Sequence, residues 1–105
     1  MSENKDIISA KETINREIAA LRVMESMLDN ALSNALDLME KCKGRVIITG
    51  MGKSGHIARK IAATLASTGT PSFFIHPGEA SHGDLGMLTK EDVVIAISNG
   101  GESKE

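Results

Sequence analysis

The run Val46-Ile47-Ile48-Thr49-Gly50-Met51-Gly52-Lys53-Ser54-Gly55 joins an apolar, β-forming segment to a glycine-rich turn that carries one lysine and one serine. Glycines at 50, 52 and 55 let the backbone turn tightly and approach a ligand without a Cβ in the way. A helix predicted to begin near His56 aims its unpaired N–H groups and positive dipole end at the same point. The chemistry on offer is anion binding, of a phosphate or a carboxylate. A second segment of this kind follows the apolar run Val93–Ile97: Ser98-Asn99-Gly100-Gly101-Glu102-Ser103-Lys104-Glu105. In open α/β sheets ligands collect outside the carboxyl ends of the strands, so the two loops are predicted to face one crevice.

The surrounding residues narrow the ligand. Gly50-x-Gly52-x-x-Gly55 has the spacing of a dinucleotide fingerprint, which by itself is a weak signal and calls for an acidic residue about 20 positions on. Phe73-Phe74-Ile75-His76-Pro77 stands there instead, with no acid before Glu79. A triphosphate-binding loop, Gly-x-x-x-x-Gly-Lys-Ser/Thr, needs glycine where the chain has Ile47. A smaller anionic ligand is what these two patterns leave.

The elements that must position these loops follow from periodicity. Apolar residues at 7, 14, 18, 21, 24, 28, 32, 36 and 39 fall on one side of a helix, with Asp29-Asn30 as a break that caps a second helix and Ser9 with Glu12 as a capping box. Such a stripe packs into a core or, at this length, forms a seam between subunits. Arg45–Thr49 reads as a strand, Ile57–Ser67 as an alanine-rich helix ended by Gly69, Ser72–Ile75 as a second strand and Val93–Ile97 as a third. Between the last two strands, Glu79–Leu88 reads as a loop with one helical turn. Strand and helix alternate and the strands are continuously apolar, which argues α/β: a parallel sheet covered by helices on both faces, a three-layer αβα sandwich. We place the N-terminal helices at 1–43 and the sheet-bearing segment at 44–105.

Composition excludes several function classes. The 105 residues are 41% hydrophobic and 25% charged, as in an ordinary globular domain, with a formal charge of −2 and only two aromatic residues. No basic run or aromatic platform suggests nucleic acid, and no apolar stretch reaches the length of a membrane span. The N-terminus lacks the layout of a secretion signal. A single cysteine, Cys42, has no internal disulfide partner, which fits a reducing cytoplasm.

Four blocks together resemble the sugar isomerase (SIS) domain and, within it, arabinose 5-phosphate isomerases of the KdsD/KpsF type. They are Gly50–His56, Ala66-Ser67-Thr68-Gly69-Thr70-Pro71-Ser72-Phe73-Phe74, His76-Pro77-Gly78-Glu79-Ala80-Ser81-His82-Gly83-Asp84-Leu85-Gly86-Met87 and Val93–Asn99. The block 76–87 carries the likeness to this subfamily; the two loops are shared by SIS domains at large. The resemblance implies a flavodoxin-like fold, here reaching the third strand, with the later strands, a further glutamate and a histidine beyond Glu105. It implies interconversion of D-ribulose 5-phosphate and D-arabinose 5-phosphate through an enediol, an intramolecular oxidoreduction that supplies the eight-carbon acid sugar (Kdo) of lipopolysaccharide. It also implies a cytoplasmic homotetramer that needs no cofactor and is inhibited by divalent zinc.

On the family pattern, Lys53 and Glu105 are the catalytic pair. Gly52, Ser54, Gly55, Ser98, Asn99, Gly100, Gly101 and Ser103 would bind the phosphosugar, and His82 would contact substrate or metal. Gly100 stands where the family has a serine hydroxyl. On chemical grounds alone Lys53 is equally a phosphate-binding ammonium, Glu105 a surface helix glutamate, and the serines helix caps. A non-catalytic phosphosugar-binding SIS module of a regulator is the alternative function. Such a regulator would carry a basic helix-turn-helix, which this sequence lacks.

Overall fold

A computed structural model of the protein describes residues 4–100. The chain falls into two units, Met1–Ala35 and Leu36–Glu105.

The first unit is built from helix α1, Lys5–Met27, and the start of α2, Asn30–Glu40. Asn4 caps α1, its side-chain oxygen accepting from the Asp6 N–H at 2.8 Å. The predicted capping box at Ser9 and Glu12 therefore does not form. Ser9 lies inside the helix, where its carbonyl accepts from the Thr13 hydroxyl, because Asn4 already satisfies the orphan N–H groups one turn earlier. The break falls where the sequence placed it. Leu28 is extended, and Asp29 restarts the chain as a cap, Oδ1 accepting from the Ala31 N–H at 2.9 Å. No residue of α1 is buried, and stripe residues such as Leu21 are more than half exposed, at 59%.

The second unit holds a three-stranded parallel sheet of β1, Val46–Gly50, β2, Ser72–Ile75, and β3, Val93–Ile97, in the order β2-β1-β3. It is one open sheet with helices on both sides. Val46 is in register with Ser72 on one side and Val93 on the other. Helix α3, Gly52–Ser67, connects β1 to β2 and packs Ala58 and Ala62 onto Val46 and Ile48. Those alanines are four apart and share one helix face, and their small side chains let the helix axis come close to the sheet. Ile48 is fully buried there, a site worth about 1.5–3 kcal/mol of apolar transfer. Ile47, on the opposite sheet face, is closed off equally at 1% exposure.

Two observed details differ from the sequence expectation. Helix α3 begins at Gly52 rather than near His56, because Gly55 N–H already bonds to the Met51 carbonyl. Gly52 is tolerated at the first helical position, where the N–H has no helical partner anyway. The segment after β2 forms two short helical pieces, α4 at Pro77–Ala80 and a 3-10 turn at Asp84–Met87. His76 does more than end β2: its Nδ1 accepts from Gly78 N–H and caps α4.

The amino edge of the sheet is clasped by Asp92. Its Oδ1 accepts from Arg45 N–H at 2.7 Å and its Oδ2 from Thr89 N–H at 2.8 Å, and its side chain is 2% exposed. Arg45 donates from Nη2 to the Met87 carbonyl and lies over the Phe73 ring, reaching β2 as well as the approach to β3. Hydrogen bonds from the Arg45 and Thr89 backbone, with the Arg45 charge adding to them, hold the Asp92 carboxyl below its ordinary value. A depressed folded-state pKa contributes stability above the unfolded value and loses it as pH falls through the folded one. Asp92→Asn is therefore expected to lower the thermal midpoint at pH 7, with the gap to the parent closing as pH drops below about 4 in melts followed by circular dichroism.

Candidate functional site

The carboxyl ends of the strands form a cleft. Leaving β1, the chain crosses through α3 to β2 on one side, yet β3 pairs with β1 on the other. Connections diverge at β1, and between its end and that of β3 a depression opens, as expected where strand order reverses. Its volume is about 490 Å3. Lys53 and Ser54 line it from the first turn of α3, and Ser98 and Asn99 from the loop after β3. The two loops thus share one crevice, as the strand-end rule predicts.

Local geometry explains how the turn is made. Gly52 has φ +56°, which swings the chain from the extended Met51 directly into the helix. Gly55 sits so near β1 that a Cβ there would lie 2.6 Å from the Gly50 carbonyl oxygen. The start of α3 is consequently seated on the end of β1, with Lys53 and Ser54 at its rim. The Thr49 hydroxyl donates to the Ile75 carbonyl and ties the ends of β1 and β2 together below the turn. Among the described residues no carboxylate pairs with Lys53, leaving its ammonium available to an incoming anion.

Other predicted site residues are placed differently. Gly52 and Gly55 line a second, smaller cavity on the β2 side of the turn. Gly100 is exposed beyond Asn99. His82 is exposed between α4 and the 3-10 turn and lines neither cavity. Among the described residues no group of three or more His, Cys, Asp or Glu is arranged to hold a metal ion, so His82 stands without the further ligands a closed zinc site requires. Gly101, Ser103 and Glu105 lie outside the described residues. Cys42 is half-buried with Sγ 3.3 Å from the Glu91 carbonyl, a packing position before β1.

Sequence reasoning missed Thr49, Met51 and Pro77 as cleft walls. Pro77 had a usable signal, since it falls immediately beyond the carboxyl end of β2. Thr49 and Met51 did not, because an apolar strand ending in threonine is ordinary until the neighbouring strand is known.

Comparison with known proteins adds a family and relatives. The SIS domain profile matches residues 38–105. The chain is 56% identical over 106 residues to arabinose 5-phosphate isomerase KdsD of Pseudomonas aeruginosa, covering all of this chain and 32% of that protein. It is 58% identical over 97 residues to the KdsD of Escherichia coli K12, covering 92% of this chain and 30% of the relative. The chain spans about a third of the length of the curated relatives it matches. Among solved structures, an Escherichia coli CFT073 protein in complex with arabinose 5-phosphate superposes with a TM-score of 0.82 at 50% identity, over 97% of this chain and 55% of that one. A Listeria monocytogenes protein gives 0.85 at 30% identity, over 98% and 56%.

The two glycines of the turn make separable predictions. Gly55→Ala sets a Cβ against backbone and should cost about 1–3 kcal/mol of stability, as read by thermal melts. Gly52→Ala has open space around it and should lose only the roughly 1–2 kcal/mol that a positive φ imposes.

Proposed function

We propose a function from one premise: the chain belongs to the SIS domain family. The intact protein is an aldose–ketose isomerase that interconverts D-ribulose 5-phosphate and D-arabinose 5-phosphate. The observation that carries this proposal is that Lys53 and Ser54 of one loop and Ser98 and Asn99 of the other line a single cleft sized for a small phosphosugar. The names of the relatives support the same choice of substrate.

Isomerisation moves a proton between C1 and C2 through an enediol, so the site must supply a base and stabilise an oxyanion. In this scheme the phosphate is gripped by the Ser54 and Ser98 hydroxyls, the Asn99 amide and the first-turn N–H groups of α3. The Lys53 ammonium then faces the charge that develops on the sugar oxygens. Glu105 takes the role of proton shuttle, and Gly101 and Ser103 complete the phosphate loop. Gly100 withholds one hydroxyl donor, so the backbone carries a larger share of the grip. The protein works as a cytoplasmic homo-oligomer without an organic cofactor.

The test is a coupled isomerase assay with ribulose 5-phosphate on the natural full-length protein. Lys53→Ala is expected to reduce kcat by about 10²–10³. Undiminished turnover would remove the lysine from the mechanism. A parent protein that binds the sugar phosphate in calorimetry yet converts none of it would instead be a phosphosugar-sensing module.

A further inference from the structure

On the β2 side of the glycine turn, the smaller cavity, about 180 Å3, is lined by Gly50, Gly55, His56, Arg59, Phe74 and His76. It shares Gly50 with the main cleft but none of the cleft's polar side chains. One guanidinium and two imidazoles line it, and no carboxylate does.

These groups are held rather than scattered. The central carbon of the Arg59 guanidinium lies 4.2 Å from the centroid of Phe74, a stacking geometry that is compatible with in-plane N–H donation to a ligand. Among the described residues no carboxylate pairs with Arg59. The same Phe74 ring meets His76 edge-on, with centroids 6.4 Å apart, so one aromatic side chain positions both basic groups. His76 accepts the Gly78 N–H at Nδ1, which puts the proton of the neutral ring on Nε2 and keeps that nitrogen a donor. His56 precedes Arg59 by three residues on α3 and is its neighbour on the helix surface.

We propose that this cavity is a second anion site, distinct from the phosphosugar cleft, which takes a phosphate group on the Arg59 fork with His56 and His76 as flanking donors. An unpaired guanidinium offers a bidentate match to a phosphate. The space suits a charged group alone, being well under half that of the main cleft. The proposal is independent of the isomerase function.

Its test uses the histidine ring C2–H signals of the protein in NMR titrations, with His82 as the internal reference because it lies on neither cavity. One arm adds inorganic phosphate, the other the phosphomonoester glycerol 3-phosphate. Movement of the His56 and His76 signals with phosphate alone identifies the free ion as occupant; movement with both identifies a phosphate presented by a metabolite. Arg59→Gln is expected to weaken that response at least about tenfold while the Ser98 and Asn99 amides still respond to sugar phosphate. His56→Gln, which keeps the Arg59–Phe74 stack, should weaken the His76 response about threefold. His56 and His76 signals that stay fixed in the parent, or that move equally in Arg59→Gln, overturn the proposal.

Discussion

Helix α3 can present its first turn to a ligand only because it touches the end of β1 at a point where no side chain intervenes. Gly55 rests against the Gly50 carbonyl at a separation that any Cβ would violate, and Gly52 supplies the left-handed twist that starts the helix at once. Two glycines therefore convert an apolar strand into a support for Lys53 and Ser54. A longer loop would have carried the same residue types with much less positional control. The alanines further along α3 extend the close approach, so the helix remains pressed on the sheet from its first turn through Ala62.

The sheet order gives that turn a partner. If β3 had paired beyond β2, the loop at Ser98 would have opened over a different part of the sheet edge. Placed against the free side of β1, it opens beside Lys53 instead. The Asp92 clasp at the amino edge sets the register of that pairing, because Arg45 donates its backbone N–H to Asp92 while its carbonyl accepts from Val93. Chemistry at one edge of the sheet is thus aligned by an ion-and-backbone lock at the other. The same turn has a second side, where Arg59 and His76 flank the Phe74 ring, apart from the main cleft.

Much of this was legible in the residues. β2 and β3 coincide with their predicted bounds, since short apolar runs bounded by turn residues leave little choice of state. The break at Asp29 was equally plain, an Asx cap between two helical periods. Errors arose where two local signals competed. Asn4 outcompeted Ser9 for the helix start because a cap acts on the first orphan N–H groups available, and spacing cannot say which those are. The start of α3 was placed too late because glycine was weighed as a loop former, whereas the first helical turn needs no partners for its N–H groups. The apolar stripe of α1 told of a helix with one greasy side, and no local pattern records what covers that side.

The sequence alone determined the element types, the parallel character of the sheet and the glycine-rich turn that follows β1, because these depend on period, propensity and the absence of Cβ atoms. Tertiary structure decided which loops meet, that Thr49 and Pro77 become walls of the cleft, and that Arg59 and His76 converge on one phenylalanine ring. Those outcomes depend on strand order and on the pressing of α3 against β1, relations between residues far apart in the chain that local spacing does not encode.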